Sequence, residues 1–249
     1  MKTDEILVVP DVHGRRFWKE GNPNVYTKDY KLIVFLGDYL DPYYGEHISL
    51  EDCIANFEEI IKFKLKNDSK VVLLLGNHDL HYVSNVMMAS SRKYPDSDGS
   101  IYNFFANNWK LFKIMHTEKV DDQNIVFSHA PIVMDWVETC NSIISTVNQG
   151  KYCVPTKIDE MVDFLNNLWV DYNNFGNPRL FGLMSYCSWY RGGCDRSGSP
   201  VWADVREARK IENWYQIFGH TQLSLDECLK GNGYVDADCR RCFPLNELL

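Results

Sequence analysis

The sequence predicts a mixed α/β protein, for three reasons: short, wholly apolar runs recur along the chain, a helical stripe separates two of them, and polar residues able to bind metal follow each run. The first run is Ile6 to Val9 and the second Leu32 to Leu36. Both are apolar throughout rather than alternating, as strands are when a sheet is covered on both faces. From Ser49 to Lys66, residues Ile54, Phe57, Ile60, Ile61 and Leu65 keep helical spacing behind Ser49, whose hydroxyl can cap the first turn. The third run, Val71 to Leu75, completes a strand–helix–strand unit, and Ile125 to Phe127 is the fourth. A second helix is expected from Asp159 to Val170 on the stripe Met161, Phe164, Leu165 and Leu168, and Trp214 to Phe218 reads as a late strand. Ser90 to Ser100 and Asp171 to Arg179 read as loops, the latter because Asn173, Asn174, Gly176, Asn177 and Pro178 crowd into it.

The chain has 249 residues, 45% of them hydrophobic, which is enough for one domain spanning 1–249. A formal charge of -8 excludes the broad basic footprint that duplex nucleic acid requires, so any phosphate affinity has to be local. Acidic residues open the chain where a secretory signal needs basic then apolar ones, and no run approaches membrane-spanning length. A soluble, cytoplasmic protein with no membrane partner is the expectation. Eight cysteines are scattered without a framework, which fits reduced thiols. The lone C-x-x-C pair, Cys239 and Cys242, has no second pair to complete a zinc site, and its role stays open.

Chemistry concentrates where the apolar runs end. Asp11-Val12-His13-Gly14 follows the first, Gly37-Asp38-Tyr39-Leu40-Asp41 the second and Gly76-Asn77-His78-Asp79 the third. The fourth leads into Ser128-His129-Ala130 and the late strand into Gly219-His220-Thr221. Singly, each group is ordinary turn chemistry. Together they bring carboxylates, an amide and imidazoles to one edge of a sheet, where α/β proteins bind ligands and where buried charges need compensation. Oxygen and imidazole donors without thiolate suit Mn²⁺, Fe or Zn²⁺ rather than a structural zinc site. Two such ions about 3.5–4 Å apart can activate a shared water and stabilise a phosphoryl centre.

In their order, these five motifs resemble the calcineurin-like metallophosphoesterases, closest to the small bacterial and phage members of the phosphoprotein phosphatase branch, over Asp11 to His220. The resemblance implies two packed mixed β-sheets flanked by helices, a four-layer α/β/β/α sandwich. It also implies two divalent cations, Mn²⁺ in first place and Fe or Zn²⁺ as the other options. Asp11 and His13 would bind the first, Asp38 would bridge both, and Asn77, His129 and His220 would complete the second, with Asn77 also bordering the substrate. A metal-bridging hydroxide would be the nucleophile, and His78, oriented by Asp41, the proton donor to the leaving oxygen. The Tyr-Val-Asp segment at Tyr234 to Asp236 resembles the family's final strand, with Asp236 structural.

The chain also departs from that branch. Pro42 stands where Arg is usual, Asp79 where Glu is usual, and Leu75 precedes Gly76 where Arg is usual, so the expected phosphate-gripping arginines are missing. Gln222 stands where the wider family has a second histidine, as in the protein phosphatase branch. Arg191 is the candidate replacement, because a guanidinium can contact two phosphate oxygens at once, and Arg15 and Arg16 are alternatives. Tyr39, Tyr43, Tyr44 and Tyr82 are read as packing and hydrogen bonding around the site, and His47 and His81 as support at most. The expected reaction is phosphomonoester hydrolysis of a phosphoprotein or small phosphate ester, in the manner of a serine/threonine phosphatase. Cleavage of a nucleotide, dinucleoside polyphosphate or phosphodiester is the alternative. A scaffold that has lost catalysis is disfavoured by the complete ligand set.

Overall fold

The computed structural model describes residues 1–84, 94, 96–148, 153–222, 224 and 226–249. Among these residues, ten strands run in chain order: β1 (Ile6–Val9), β2 (Leu32–Phe35), β3 (Val71–Leu74), β4 (Phe112–Lys113), β5 (His116–Val120), β6 (Gln123–Phe127), β7 (Trp214–Phe218), β8 (Leu229–Gly231), β9 (Tyr234–Asp236) and β10 (Phe243–Pro244). They form two five-stranded sheets, ordered β10-β1-β2-β3-β4 and β5-β6-β7-β9-β8. In the first sheet β1 to β4 are parallel and β10 joins antiparallel. In the second, β6, β7 and β9 are parallel between antiparallel edges.

The apolar strands are double-sided. Ile6, Val8, Val34 and Leu74 pack with Ile125, Phe127, Ile217 and Val235 of the other sheet, forming the layer between sheets. Leu7, Val9, Ile33 and Phe35 belong to a separate cluster with Phe57, Ile60 and Ile61 of the helix Leu50–Lys66. Successive residues of one strand thus serve two cores, as the two-residue strand period requires. Ser49 caps the helix, its hydroxyl accepting from the Asp52 amide at 3.1 Å. The expected sandwich is the one observed.

One expected boundary is corrected. The second predicted helix runs from Ile158 to Phe175, through half of the segment read as loop, and a further helix starts at Arg179. Asparagine disfavours helix only weakly when tertiary contacts oppose it. Here the Tyr172 hydroxyl donates to the Val83 carbonyl at 2.9 Å, and the Asn173 amide to the Trp169 carbonyl one turn back. The stop comes from Gly176, whose φ of 70° suits a left-handed cap. Of the other predicted loop, residues 90–93 and 95 lie outside the described residues, and Ser100 opens the helix Ser100–Asn108. Among the described residues, no helix is long and apolar enough to cross a membrane.

His116 on β5 lies against Phe127, and burial, with Lys113 adding to it, lowers its pKa from 6.5 to about 4. Glu118 approaches only to 3.7 Å. The unfolded ring takes up a proton first, so its contribution to stability is intact above about pH 6.5 and is lost as pH falls toward 4, by up to about 3 kcal/mol. In His116→Gln, the fall in thermal midpoint between those pH values should be shallower than in the parent chain. Parallel acid limbs for the two proteins would refute it.

Candidate metal centre

The carboxyl ends of β1, β2 and β3 in one sheet meet those of β6 and β7 in the other, and each end carries predicted site residues. Adjacent loops are tied by backbone bonds, His13 N to the Asp38 carbonyl at 2.6 Å and Gly219 N to the His129 carbonyl at 2.8 Å. His13, Asp38, Asp41 and His220 adopt positive φ, 45°, 52°, 61° and 75°, which costs about 1 kcal/mol or more each and persists only where surrounding structure enforces it. Asp79 provides part of that enforcement: its carboxylate accepts from Asp38 N at 2.8 Å, Tyr39 N at 3.0 Å and Gly76 N at 2.8 Å. Gly76 and Gly219 are needed for closeness, since a Cβ on either would press into Asp38 Oδ1 or Asp11 Oδ1.

Four ligand atoms converge at one position. His129 Nε2 lies 2.9 Å from Asn77 Oδ1, 3.2 Å from His220 Nδ1 and 3.5 Å from Asp38 Oδ2. Burial holds the His129 and His220 pKa values below the usual histidine range, Arg191 adding to the effect at His220, so both rings are neutral. His129 Nδ1 faces the Leu36 carbonyl at 2.9 Å and must carry the proton there. Its Nε2 lone pair therefore points at the Asn77 oxygen with no hydrogen between them. A cation resolves that repulsion.

The second position shares Asp38. His13 Nδ1 donates to the Leu40 carbonyl at 2.9 Å, leaving Nε2 3.6 Å from Asp38 Oδ2. Burial likewise lowers the His13 pKa well below the ordinary value. Asp11 Oδ2 accepts from His220 N at 3.0 Å, while Oδ1 is buried without a partner among the described residues. Ligand atoms of Asp11, His13 and Asp38 lie within 4.8 Å of one another, as do those of Asp38, His129 and His220. The orphaned oxygen, the facing lone pairs and the carbonyl-fixed imidazoles fit two cations that share Asp38.

Beside these groups, His78 Nδ1 is 2.9 Å from Asp41 Oδ2, and the Tyr82 hydroxyl donates to Asp41 Oδ1 at 2.5 Å. The His78 ring meets that of His13 edge-on, centroids 5.2 Å apart. Arg191 lies 3.9 Å from Asp204, and its charge bears on His220 and His129. Arg15 also borders the centre, donating to the Asp11 carbonyl at 3.3 Å and to Glu46 at 2.9 Å, whereas Arg16 turns away to Glu59. Tyr43 lies edge-on to His13, Tyr39 stacks on Phe57 in the core, and Tyr44 and His47 are exposed. His81 is buried between the rings of His78 and Trp202. Sequence reasoning read Asp236, in the Tyr-Val-Asp segment, as structural and gave Asp238 no role; both are buried, Asp236 at the end of β9 and Asp238 two residues beyond it.

The profile of the calcineurin-like phosphoesterases matches residues 5–223, and the chain belongs to that family. The chain is also similar to the serine/threonine-protein phosphatase 6 catalytic subunit of Caenorhabditis elegans, 25% identical over 162 residues. That match covers 59% of this chain and 44% of the relative, so this chain spans under half the length of that protein.

Proposed function

We propose that the chain is a dinuclear-metal-dependent phosphomonoesterase of the serine/threonine phosphatase type, acting on a phosphoprotein or small phosphate ester. What carries the reading is the convergence of Asp38, Asn77, His129 and His220 beside Asp11 and His13, with a histidine–aspartate pair at its border. Bound cations, Mn²⁺ in this reading, would make a water nucleophilic near neutral pH and offset charge developing on the phosphoryl oxygens. The protein's residues do the rest. Leu36 and Leu40 fix the His129 and His13 tautomers by accepting from Nδ1. Asp41 orients His78 so that Nε2 can deliver a proton to the departing oxygen. Asn77 borders both the second cation and the substrate. A cytoplasmic setting belongs to the same reading, which takes the eight scattered cysteines as reduced thiols.

Arg191 is the phosphate contact in this reading, supported by its position beside His129 and His220 and its partial exposure of 29%. Loss of a charge-assisted pair costs about 1.5–3 kcal/mol, so Arg191→Ala should lower kcat/KM on p-nitrophenyl phosphate about 10- to 100-fold. An unchanged kcat/KM eliminates Arg191 from that role. The reading as a whole is tested by Mn²⁺-dependent turnover of mono- against bis-p-nitrophenyl phosphate, followed by phosphopeptides and nucleotides. Preference for the diester or a nucleotide would replace it.

A further inference from the structure

β9 pairs parallel to β7 with Phe218 opposite Asp236, and Ala237 N continues the ladder to the Phe218 carbonyl at 2.7 Å. Two residues beyond that pair, His220 follows the β7 end and Asp238 the β9 end. Asp238 is 3% exposed, and neither of its carboxylate oxygens has a hydrogen-bond partner among the described residues. A buried unpaired carboxylate costs several kcal/mol unless a cation compensates it. Arg15, Arg191 and Arg240 bear on it electrostatically, yet none donates to it, and Arg15 Nη2 is itself buried without a partner.

Its location is set by what it acts on. Of the charges around Asp11, Asp238 acts most strongly, ahead of Asp38 and Asp236. Asp38 in turn is the acid that acts most strongly on Asp238. Asp238 thus flanks the first position, on the side of Asp11, and does not belong to the 4.8 Å groups themselves. That position has three protein ligands, Asp11, His13 and Asp38, against four at the second, and Gln222 offers no imidazole there. A six-coordinate ion such as Mn²⁺ must fill its remaining places with water.

We propose that Asp238 serves the first metal position as an outer carboxylate, holding the ion through one of its water ligands. It rests on the dinuclear reading above and deepens it: the first position becomes the harder, oxygen-rich one, the second the imidazole-rich one. Outer partners of this kind are worth about 10- to 100-fold in metal affinity.

The test is calorimetric titration of chelator-stripped protein with Mn²⁺, alongside thermal midpoints with and without the ion. The parent chain should bind two Mn²⁺. Asp238→Asn should weaken one binding step about 10- to 100-fold, leave the other unaltered, and raise the midpoint of the stripped protein because an unpaired buried charge is gone. Asp238→Ser, smaller and equally uncharged, should weaken the same step. Equal affinities in parent and variants overturn the proposal, and so does a variant whose stripped form is destabilised, which would make Asp238 structural. A parent chain that binds fewer than two Mn²⁺ refutes the dinuclear reading itself, and the role of Asp238 falls with it.

Discussion

Asp38→Asn is expected to remove tight binding at both metal positions together and to lower kcat by about a thousandfold or more. The carboxylate is the one group common to both ligand sets, with Oδ2 3.6 Å from His13 Nε2 and 3.5 Å from His129 Nε2. Asparagine keeps an oxygen to accept from His78 N, now 3.0 Å from Oδ1, so the loop geometry has no reason to collapse. What is lost is the negative charge that lets two cations lie close together. Their contribution to the transition state is several kcal/mol, and about 1.4 kcal/mol corresponds to tenfold in rate. Metal analysis after dialysis against low Mn²⁺, together with kcat on p-nitrophenyl phosphate, checks both parts. A variant that retains two ions and parental turnover would sink the bridging role.

Much of this was legible because strand ends in a double-sided sheet are local features. Ile6–Val9 is a strand with the bounds its apolar run predicts, and Val71–Leu74 falls one residue short of the predicted end. The motifs directly after them needed only the assumption of parallel pairing to be brought together. What stayed hidden depends on long-range pairing. Strands β4, β8 and β10 are two or three residues long, and β5 is mostly half-exposed, so none carries an apolar run. The helix continued past Val170 because Tyr172 reaches Val83, a contact 89 residues away that no local pattern encodes. Asp238 is the clearest case, since in sequence it is one acid in a short polar turn. Only the β7–β9 ladder carries it, two residues past Asp236, to the strand ends where its charge bears on Asp11.

The arginines expected after Asp41 and before Gly76 are absent, and the space around Asp41 is used otherwise. Tyr82 donates to one oxygen of Asp41 and His78 to the other, so the carboxylate is committed to orienting the imidazole. Positive charge enters from other segments instead: Arg15 is fixed by Glu46 and the Asp11 carbonyl, and Arg191, 3.9 Å from Asp204, bears electrostatically on His220 and His129. With Arg191 as the proposed phosphate contact, phosphate grip would be separate from the Asp41 loop, and His78 and Arg191 should affect different kinetic parameters.

His78→Asn should therefore leave Mn²⁺ stoichiometry at the parental value, because His78 belongs to neither ligand group. Its effect should depend on the leaving group. An alkoxide needs a proton as it departs, and a positioned general acid contributes about 100- to 10,000-fold. kcat on an alkyl phosphate should fall by that order. p-Nitrophenolate leaves largely unassisted, so the loss there should be much smaller, and the ratio of the two rates isolates proton donation from misfolding or metal loss. Asp41→Asn should reproduce the pattern more weakly, since it unsettles the imidazole without removing it, the present Nδ1 to Oδ2 separation being 2.9 Å. Equal losses on both substrates would mean that His78 holds the phosphoryl group or the site's shape instead of a proton.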